Sequence, residues 1–591
     1  MADDRSTRGR FRRDGSPSRP QRAFRDRARE RMRAERESER AYLSRRAFIG
    51  LVGGAGALAA VLKLADYQIV NAGRYRGEAD ARRLTAETLF AKRGTIYDRN
   101  GNVLASSVEC SNVYVNPKLV KDASKAVSAL VSVLGVTEKE ARAAVSQDAT
   151  FAYVKRQVDQ DDADRLMKKG VAGIGLEQAV KRVYPYGALA SQVLGVVNVD
   201  NQGATGLEHE YDKVLTGQNG SLVRERGRDG GFIAGGAYKK VPATDGEDLV
   251  ISIDATIQQA AEQAMEKAVK DSGAKYGSAI ACDPTTGEIL AACSYPTYDQ
   301  SDLESARTED MNLRAVTDAY EPGSVFKTLV AGAAIDLGLM DPDTTFTVPA
   351  SVKAGDDDVT DVDGRDHTMT MTLREILRRS SNTGMVLVGE RIGADGFASY
   401  LKRYGIGTAT GVDFPGENTG IVKERSEYDG ASVGAMSFGQ SLAVAPIEIL
   451  RAETGIANGG TMSVPHFLKS RGGEEFDWEA RQARCISEKA AGEVVSMMRT
   501  VVEEGTGRAA RIEGYDIAGK TGTAQRAVEG RSGYQSGNNM ASFLGFATPD
   551  DPRAMVYVTL DGTANTSQFA MPPFVTIMQA CIAALGIKKS A

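Results

Sequence analysis

The sequence holds little of what builds metal centres, disulfide scaffolds or imidazole catalysis. Five cysteines, Cys110, Cys282, Cys293, Cys485 and Cys581, are scattered, odd in number and never spaced Cys-x-x-Cys. That excludes a disulfide framework, and small buried apolar residues are the expectation for them. Histidine is scarcer still, with only His209, His367 and His466 in 591 residues. Lysine is absent from residues 1–46, where 16 arginines against 8 acids give a local +8 in a chain whose net charge is -5. A basic arm thus precedes an acidic body. The arm has few large apolar residues, so a disordered tail, or at best a solvated helix, is expected over 1–46. It also lacks interleaved aromatics, which argues against nucleic-acid binding.

Long apolar runs are rare too. Ala47 to Leu62 carries no charge, and Lys63 can reach the interface by its stem. A span over 47–68 is near the lower length limit for crossing a membrane. The upstream arginines orient it with a cytoplasmic N-terminus and everything after residue 70 outside. A cleaved export signal is the rival, since Ala57-Leu58-Ala59 resembles a processing site and Ser44-Arg45-Arg46-Ala47-Phe48 a twin-arginine signal. Forty-six residues is a long tail to discard, which favours an uncleaved anchor.

A chain this long needs more than one core. Residues 69–240 alternate short apolar and polar stretches, with helical periods only around 126–135 and 160–170, and read as an extended, mainly β module. Past residue 241 the pattern changes. VISIDATIQQAAEQAMEKAV predicts a strand, an N-cap at Asp254 and a helix with apolar residues at 257, 261, 264, 265 and 268. SAIACDPTTGEILAACSYP predicts a hairpin, and DIAGKTGTAQ, ASFLGFATPDD and AMVYVTLDG successive strands. The fold class expected is α+β, an antiparallel sheet packed with helices over 241–591.

Three short motifs in this second part carry chemistry. In YEPGSVFKTL, Pro322 and Gly323 make a turn ahead of an apolar helix, and Ser324 and Lys327 lie on one helical face about 5 to 6 Å apart at Cβ. Such a pair makes an activated nucleophile only if the lysine acts neutral. Its pKa must fall by roughly 3 units, so burial and a second cation nearby are required. Ser380-Ser381-Asn382 would alone be a capped helix end. Lys520-Thr521-Gly522-Thr523 would alone be an edge-strand charge and a glycine bulge, and it lacks the spacing of a phosphate loop.

In this order the set is far more specific than any member, and it resembles the signature of the penicilloyl-serine transferases, the β-lactamases and penicillin-binding proteins. RGTIYDRNGNVLASS (93–107), KRVYPYGALASQVLGVV (181–197) and GATGLEHEYDKVLTG (203–217) are similar to the noncatalytic pedestal of class B penicillin-binding proteins. A β-lactamase would need an ExxxN loop that GVDFPGENTGIVKERSEYDG does not supply. A bifunctional synthase would carry a glycosyltransferase signature that 70–240 lacks. SSNTG and VTDAYEPGS are similar to the division and sporulation branch rather than the elongation branch.

The resemblance implies a peptidoglycan D,D-transpeptidase with Ser324 as nucleophile, Lys327 as its base and Ser380 passing a proton to the leaving amine. It further implies that Asn382 holds Lys327 and a substrate amide, and that Lys520 is the second cation. Thr521, Gly522 and Thr523 would bind substrate, with the N–H groups of Ser324 and Thr523 as the oxyanion hole. Implied partners are D-Ala-D-Ala stem peptides, β-lactams bound covalently at Ser324, and a membrane glycosyltransferase with other wall-synthesis or division proteins. No metal or cofactor is needed, and histidines outside all three motifs disfavour a Ser-His-Asp hydrolase. A penicillin-binding scaffold without strong catalysis, and a D,D-carboxypeptidase or β-lactamase-like hydrolase, are the alternatives.

Overall fold

The computed structural model describes residues 19–225, 233–236, 238–527, 534–563 and 567–590. By contacts the chain forms two compact units, residues 1–87 with 222–240, and residues 88–221 with 241–591. The stretch read from sequence as one pedestal, 69–240, is thus shared between them.

In the first unit, helix α1 runs from Arg19 to Ala65, and its described side chains are exposed, Phe48 and Leu51 among them. The tail over 1–46, expected to be disordered or at best a solvated helix, is an exposed helix from Arg19 onward, while its first 18 residues lie outside those described. The reason is composition: arginine, glutamate and alanine are good helix formers, and a helix needs no buried face to persist as a continuation of an apolar one. The apolar part is long enough to cross a membrane and none of it is covered by protein. A π-helical turn Asp66–Val70 and a helix Ala72–Arg83 follow. Strands Leu84–Leu89, Gly220–Glu225 and Tyr238–Val241 pair in that order, tied by an ion pair from Arg224 to Glu87.

The second unit begins with an α/β layer. Strand β1 (Val103–Val115) is the centre of an antiparallel set with β2 (Ala152–Asp159) and β3 (Ile174–Val183) on its two sides. Helices α2 (Ala123–Leu134), α3 (Glu138–Val145) and α4 (Gln160–Lys168) cover it, burying Val113, Val115, Leu130 and Leu166. Nearby, the Arg93 guanidinium is wholly buried. It reaches Glu208 at 2.5 Å and Asp212 at 2.6 Å, while Arg182 reaches Glu208 at 2.6 Å. Two arginines sharing a carboxylate keep every charge in the group partnered, the condition for holding charge away from water.

The rest of the unit is a five-stranded sheet between helical layers. Asp254 caps α5 (Ala255–Ser272), and the residues buried along it include Ile257, Ala261, Ala264, Met265 and Ala268, the face expected from sequence. The strands are β4 (Tyr276–Cys282), β5 (Ile289–Tyr295), β6 (Ile517–Ala527), β7 (Tyr534–Ala547) and β8 (Met555–Thr563), all antiparallel in the order β5-β4-β8-β7-β6. Both faces are apolar: along β4, Ala279 and Ala281 join one core and Ile280 and Cys282 the other. The first core is closed by α5 and by the final helix Met571–Leu585. That helix is also long and apolar enough to cross a membrane when extended to Ser567–Leu585, but 44% of its apolar window is buried in the protein.

The second core is closed by five helices: α6 (Lys327–Asp336), α7 (Leu373–Arg379), α8 (Asn382–Arg403), α9 (Pro446–Ala457) and α10 (Glu488–Glu503). Every residue of α6 from Lys327 to Ile335 is buried, so it is the central helix of that layer. All five cysteines are buried and unpaired. Within this unit Asp413 lies buried, accepting from the Tyr211 hydroxyl at 2.7 Å and from the N–H groups of Phe467 and Leu468 at 2.7 and 2.8 Å.

Candidate active site

The three motifs, distant in sequence, converge where α6 begins, where α7 meets α8, and on edge strand β6. Gly323 has φ 58°, which the turn before α6 requires, and a Cβ there would stand 2.7 Å from the Thr523 carbonyl oxygen. Residues Gly323–Phe326 form a 3₁₀ turn that burial of Val325 and Phe326 pins to the core. This leaves Ser324 half-exposed and Lys327 wholly buried.

A Thr372 capping box starts α7, which ends at Ser380 in the left-handed region, φ 59°. That turn directs the Ser380 carbonyl toward the lysine. Lys327 Nζ donates to Ser380 O and Asn382 Oδ1, both at 2.7 Å, and lies 3.4 Å from Ser380 Oγ. Ser381, the middle residue, is buried and caps α8 by accepting from Gly384 N at 3.0 Å. On β6, Lys520 is 1% exposed and its Nζ donates to Ser380 Oγ at 2.9 Å and to Thr521 O at 2.9 Å. Ser380 Oγ thus lies between two lysine nitrogens. Because β6 is an edge strand, its outer side is free to accept an extended peptide as a further strand.

Burial acts first on both lysines. It drives Lys327 well below the usual ammonium range, the Lys520 charge drives it further, and Asp361 opposes them. Burial alone pushes Lys520 down to about 7. Lys327 is thus buried with Lys520 beside it, on the other side of Ser380 Oγ.

The other expected site residues fall as follows. Thr521 is buried, its hydroxyl 2.8 Å from that of Thr506, so it faces inward. Gly522 packs where a Cβ would stand 2.2 Å from Ser542 Oγ. Thr523 is half-buried on the same edge. No hydrogen bond joins the Ser324 hydroxyl to Lys327 among the described residues, because Ser380 and Asn382 take the lysine's donors. His367 is exposed, and no group of metal-ligating side chains occurs among the described residues.

Sequence reasoning missed Asp361. It accepts from Asn382 N at 2.6 Å, Thr383 N at 3.0 Å and Ser381 Oγ at 2.8 Å, and pairs with Arg365 at 3.0 Å. Burial pushes its carboxyl up, but the Thr383 N–H, the Ser381 hydroxyl and Arg365 outweigh burial and hold it below the ordinary range. Asp361 is the anion at the N-terminus of α8, where backbone donors are unpaired and the dipole favours negative charge. Arg365 in turn donates to Pro349 O at 2.6 Å and Thr383 Oγ1 at 2.8 Å.

Residues 277–579 match the penicillin-binding protein transpeptidase domain, and residues 88–251 the penicillin-binding protein dimerisation domain. Penicillin-binding protein PbpB of Mycobacterium tuberculosis is 32% identical over 546 residues, 87% of this chain and 80% of that one. Peptidoglycan D,D-transpeptidase FtsI of Escherichia coli is 30% identical over 545 residues, 90% of each chain. The crystal structure of penicillin-binding protein 3 from M. tuberculosis with aztreonam superposes with a TM-score of 0.67 at 28% identity, over 85% of this chain and 98% of that one.

Proposed function

Because this chain belongs to the class B penicillin-binding proteins, we propose the following residue roles for the peptidoglycan D,D-transpeptidation that its kinship assigns to it. The observation that carries the reading is Lys327, buried and clamped between Ser380 and Asn382 with Lys520 on the far side of Ser380.

Three acceptors around Lys327 Nζ suit the three donors of an ammonium, whereas a neutral amine has two donors and a lone pair. A stem peptide laid along β6 brings its terminal carboxylate to Lys520 and favours the charged form of that lysine. The new cation lowers Lys327 further, and the freed lone pair accepts the Ser324 proton. Ser324 Oγ bonds to the carbonyl carbon of the penultimate D-alanine while the N–H groups of Ser324 and Thr523 hold the oxyanion. Each such donor is worth about 3 kcal/mol in comparable acyl transfers. The bond to the last D-alanine breaks, and its amine leaves with a proton relayed through Ser380. An amine of a neighbouring stem peptide then displaces Ser324 and forms the crosslink. β-Lactams enter the same path and remain as the acyl-enzyme.

We assign 47–68 to a membrane anchor with the N-terminus in the cytoplasm, 69–240 to the noncatalytic module and 241–591 to the transpeptidase domain. The N-terminal apolar helix and the two family matches support this division. A division role and a glycosyltransferase partner in the membrane complete the proposal. Labelling the detergent-solubilised full chain with a fluorescent penicillin tests it. A persistent adduct on wild type and none on Ser324→Ala is expected. Label on both, or rapid turnover of the wild-type label, overturns the assignment of Ser324 as a long-lived acyl site.

A further inference from the structure

The proposed mechanism uses the exposed side of the nucleophile turn, and a carboxyl group that it does not use lies behind. Glu453, on α9, is 1% exposed. It is bonded to the hydroxyl of Thr328, the residue after Lys327, and its second oxygen has no hydrogen-bond partner among the described residues. The same Thr328 hydroxyl lies 2.7 Å from the carbonyl oxygen of Val325, the residue after Ser324.

Thr328 can donate only one of these two contacts. A hydroxyl has a single proton, and a backbone carbonyl can only accept. If Thr328 gives its proton to Val325 O, its contact with Glu453 must be made by a proton of the carboxyl group. A relay then runs from Glu453 through Thr328 to the carbonyl beside the nucleophile, with Glu453 as the neutral acid. Solvation gives the same answer, because a buried carboxylate with one hydrogen bond is costly and such groups bind a proton instead. Burial accordingly pushes Glu453 up to about 8.

Among the described residues no cation makes contact with Glu453. Of the ionisable groups on the elements packed there, α6 brings Lys327, whose donors go to Ser380 and Asn382. β8 brings Tyr557 and the turn after α8 brings Tyr404, both close enough for a charge on Glu453 to raise them. Tyr320 meets Tyr557, and Cys485 lies against α9 at Gly455. Along α9 itself the neighbours are Glu448 and Arg451.

Resting on the acyl-enzyme reading above, we propose that Glu453 is a positioning residue which, as a neutral acid, sets the nucleophile turn through Thr328, and whose ionisation slows acylation at alkaline pH. Ionised, it draws the Thr328 proton to itself and releases Val325 O. It also places a negative charge behind Lys327, which favours the ammonium form and removes the base.

The test follows acylation of the solubilised full chain by fluorescent penicillin from pH 6 to 9, for wild type, Glu453→Gln and Thr328→Val. Gln keeps a donor to Thr328 and does not ionise. The Gln-to-wild-type rate ratio is expected to be near one at pH 6.5 and to rise about tenfold by pH 9, one pH unit past the midpoint. Thr328→Val, which breaks the relay and guards against a Gln variant that fails to fold, is expected to be slow at every pH and to show a shallower alkaline fall, since only the charge behind Lys327 remains. A ratio constant across the range, or an alkaline fall unchanged in Thr328→Val, overturns the proposal alone. Absence of label on every protein at every pH overturns the acyl-enzyme reading with it.

Discussion

Replacing Asp361 by asparagine separates two effects that this residue has on the site. The carboxylate holds two backbone N–H groups at the start of α8 and a Ser381 hydroxyl, and it neutralises Arg365, whose side chain is 4% exposed. An asparagine oxygen can keep the backbone donors, but its NH₂ then faces the hydroxyl, and the guanidinium is left as an uncompensated buried charge. Breaking one partner of such a pair costs about 3 kcal/mol or more. Arg365 keeps its carbonyl acceptors, so the lower end of the range is the expectation. At about 2 °C per kcal/mol for a large domain the melting temperature falls by about 6 °C. The carboxyl is held below its ordinary value, so its contribution is present above pH ~4 and lost as pH falls through the folded value, and the two melting curves should converge in acid.

Acylation kinetics report the second effect. Asp361 raises Lys327 electrostatically, so its loss favours the neutral base and shifts the acid limb of the rate profile to lower pH. It also loosens the turn carrying Ser380 and Asn382, which lowers the plateau, by about tenfold if one lysine hydrogen bond of about 1.4 kcal/mol is lost. Calorimetry and stopped-flow labelling over pH 5 to 8 read both. A variant that melts within about 1 °C of wild type and acylates at its plateau rate would refute the claim that Asp361 holds the site.

Other substitutions probe separate parts. Gly522→Ala puts a methyl 2.2 Å from Ser542 Oγ and 3.0 Å from a Val325 methyl, so Ser542 must turn away and the nucleophile turn must give by a few tenths of an ångström, and labelling should slow while the protein stays folded by circular dichroism; an unchanged labelling rate would show that the turn absorbs the methyl. Lys520→Ala should weaken capture of a carboxylate-bearing penicillin and raise the pH needed for acylation, since Lys327 loses the cation that lowers it; an unchanged profile sinks both roles. Tyr211→Phe removes a donor to buried Asp413, which burial already pushes up to about 6 against the hydrogen bonds of Tyr211 and of the backbone. The stability that a raised carboxyl confers is full below its unfolded value near 4 and lost as pH rises through about 6. The variant should therefore lose about 1 kcal/mol near neutrality and nothing at pH 4, as urea titrations would show.

What could be read from sequence was whatever depends on spacing along one element. Ser324 and Lys327 share a helical turn, Ser380 and Asn382 flank a helix junction, and the strands around Lys520 announce themselves by turns and apolar runs. The need for a second cation followed from the chemistry of one lysine. Asp361 was invisible because it is one of several acids in DDDVTDVDGRD, and only folding distinguishes the one beneath the N-terminus of α8 from the exposed rest. Glu453 was hidden in the same way: in EILRAETGIA a glutamate five residues from another and two from an arginine looks like solvated charge, yet both Glu448 and Glu453 are buried. The inward turn of Thr521 depends on Thr506, a partner outside its own motif. The exposed helix from Arg19 is the solvated-helix alternative read for the arm, because a lack of apolar residues removes a reason to pack, not a reason to coil.

The strand order of the central sheet has a consequence in time. β4 is joined to β8, so that Ser278 meets Thr559 across 281 residues, and β6, which carries Lys520, hangs from the far edge through β7. During synthesis the first hairpin must wait with one edge open until almost the whole chain has emerged, and only then can the strand beside the nucleophile be hung in place. Closing so long a loop is slow, and until it closes the serine has no second cation and no oxyanion partner. A chain that stops before Met555 loses β8 and with it the link between the two halves of the site. On the proposed assignment of Ser324, its reactivity toward penicillin would report on completed folding, and in a pulse-labelled cell the adduct should appear only after release of the finished chain.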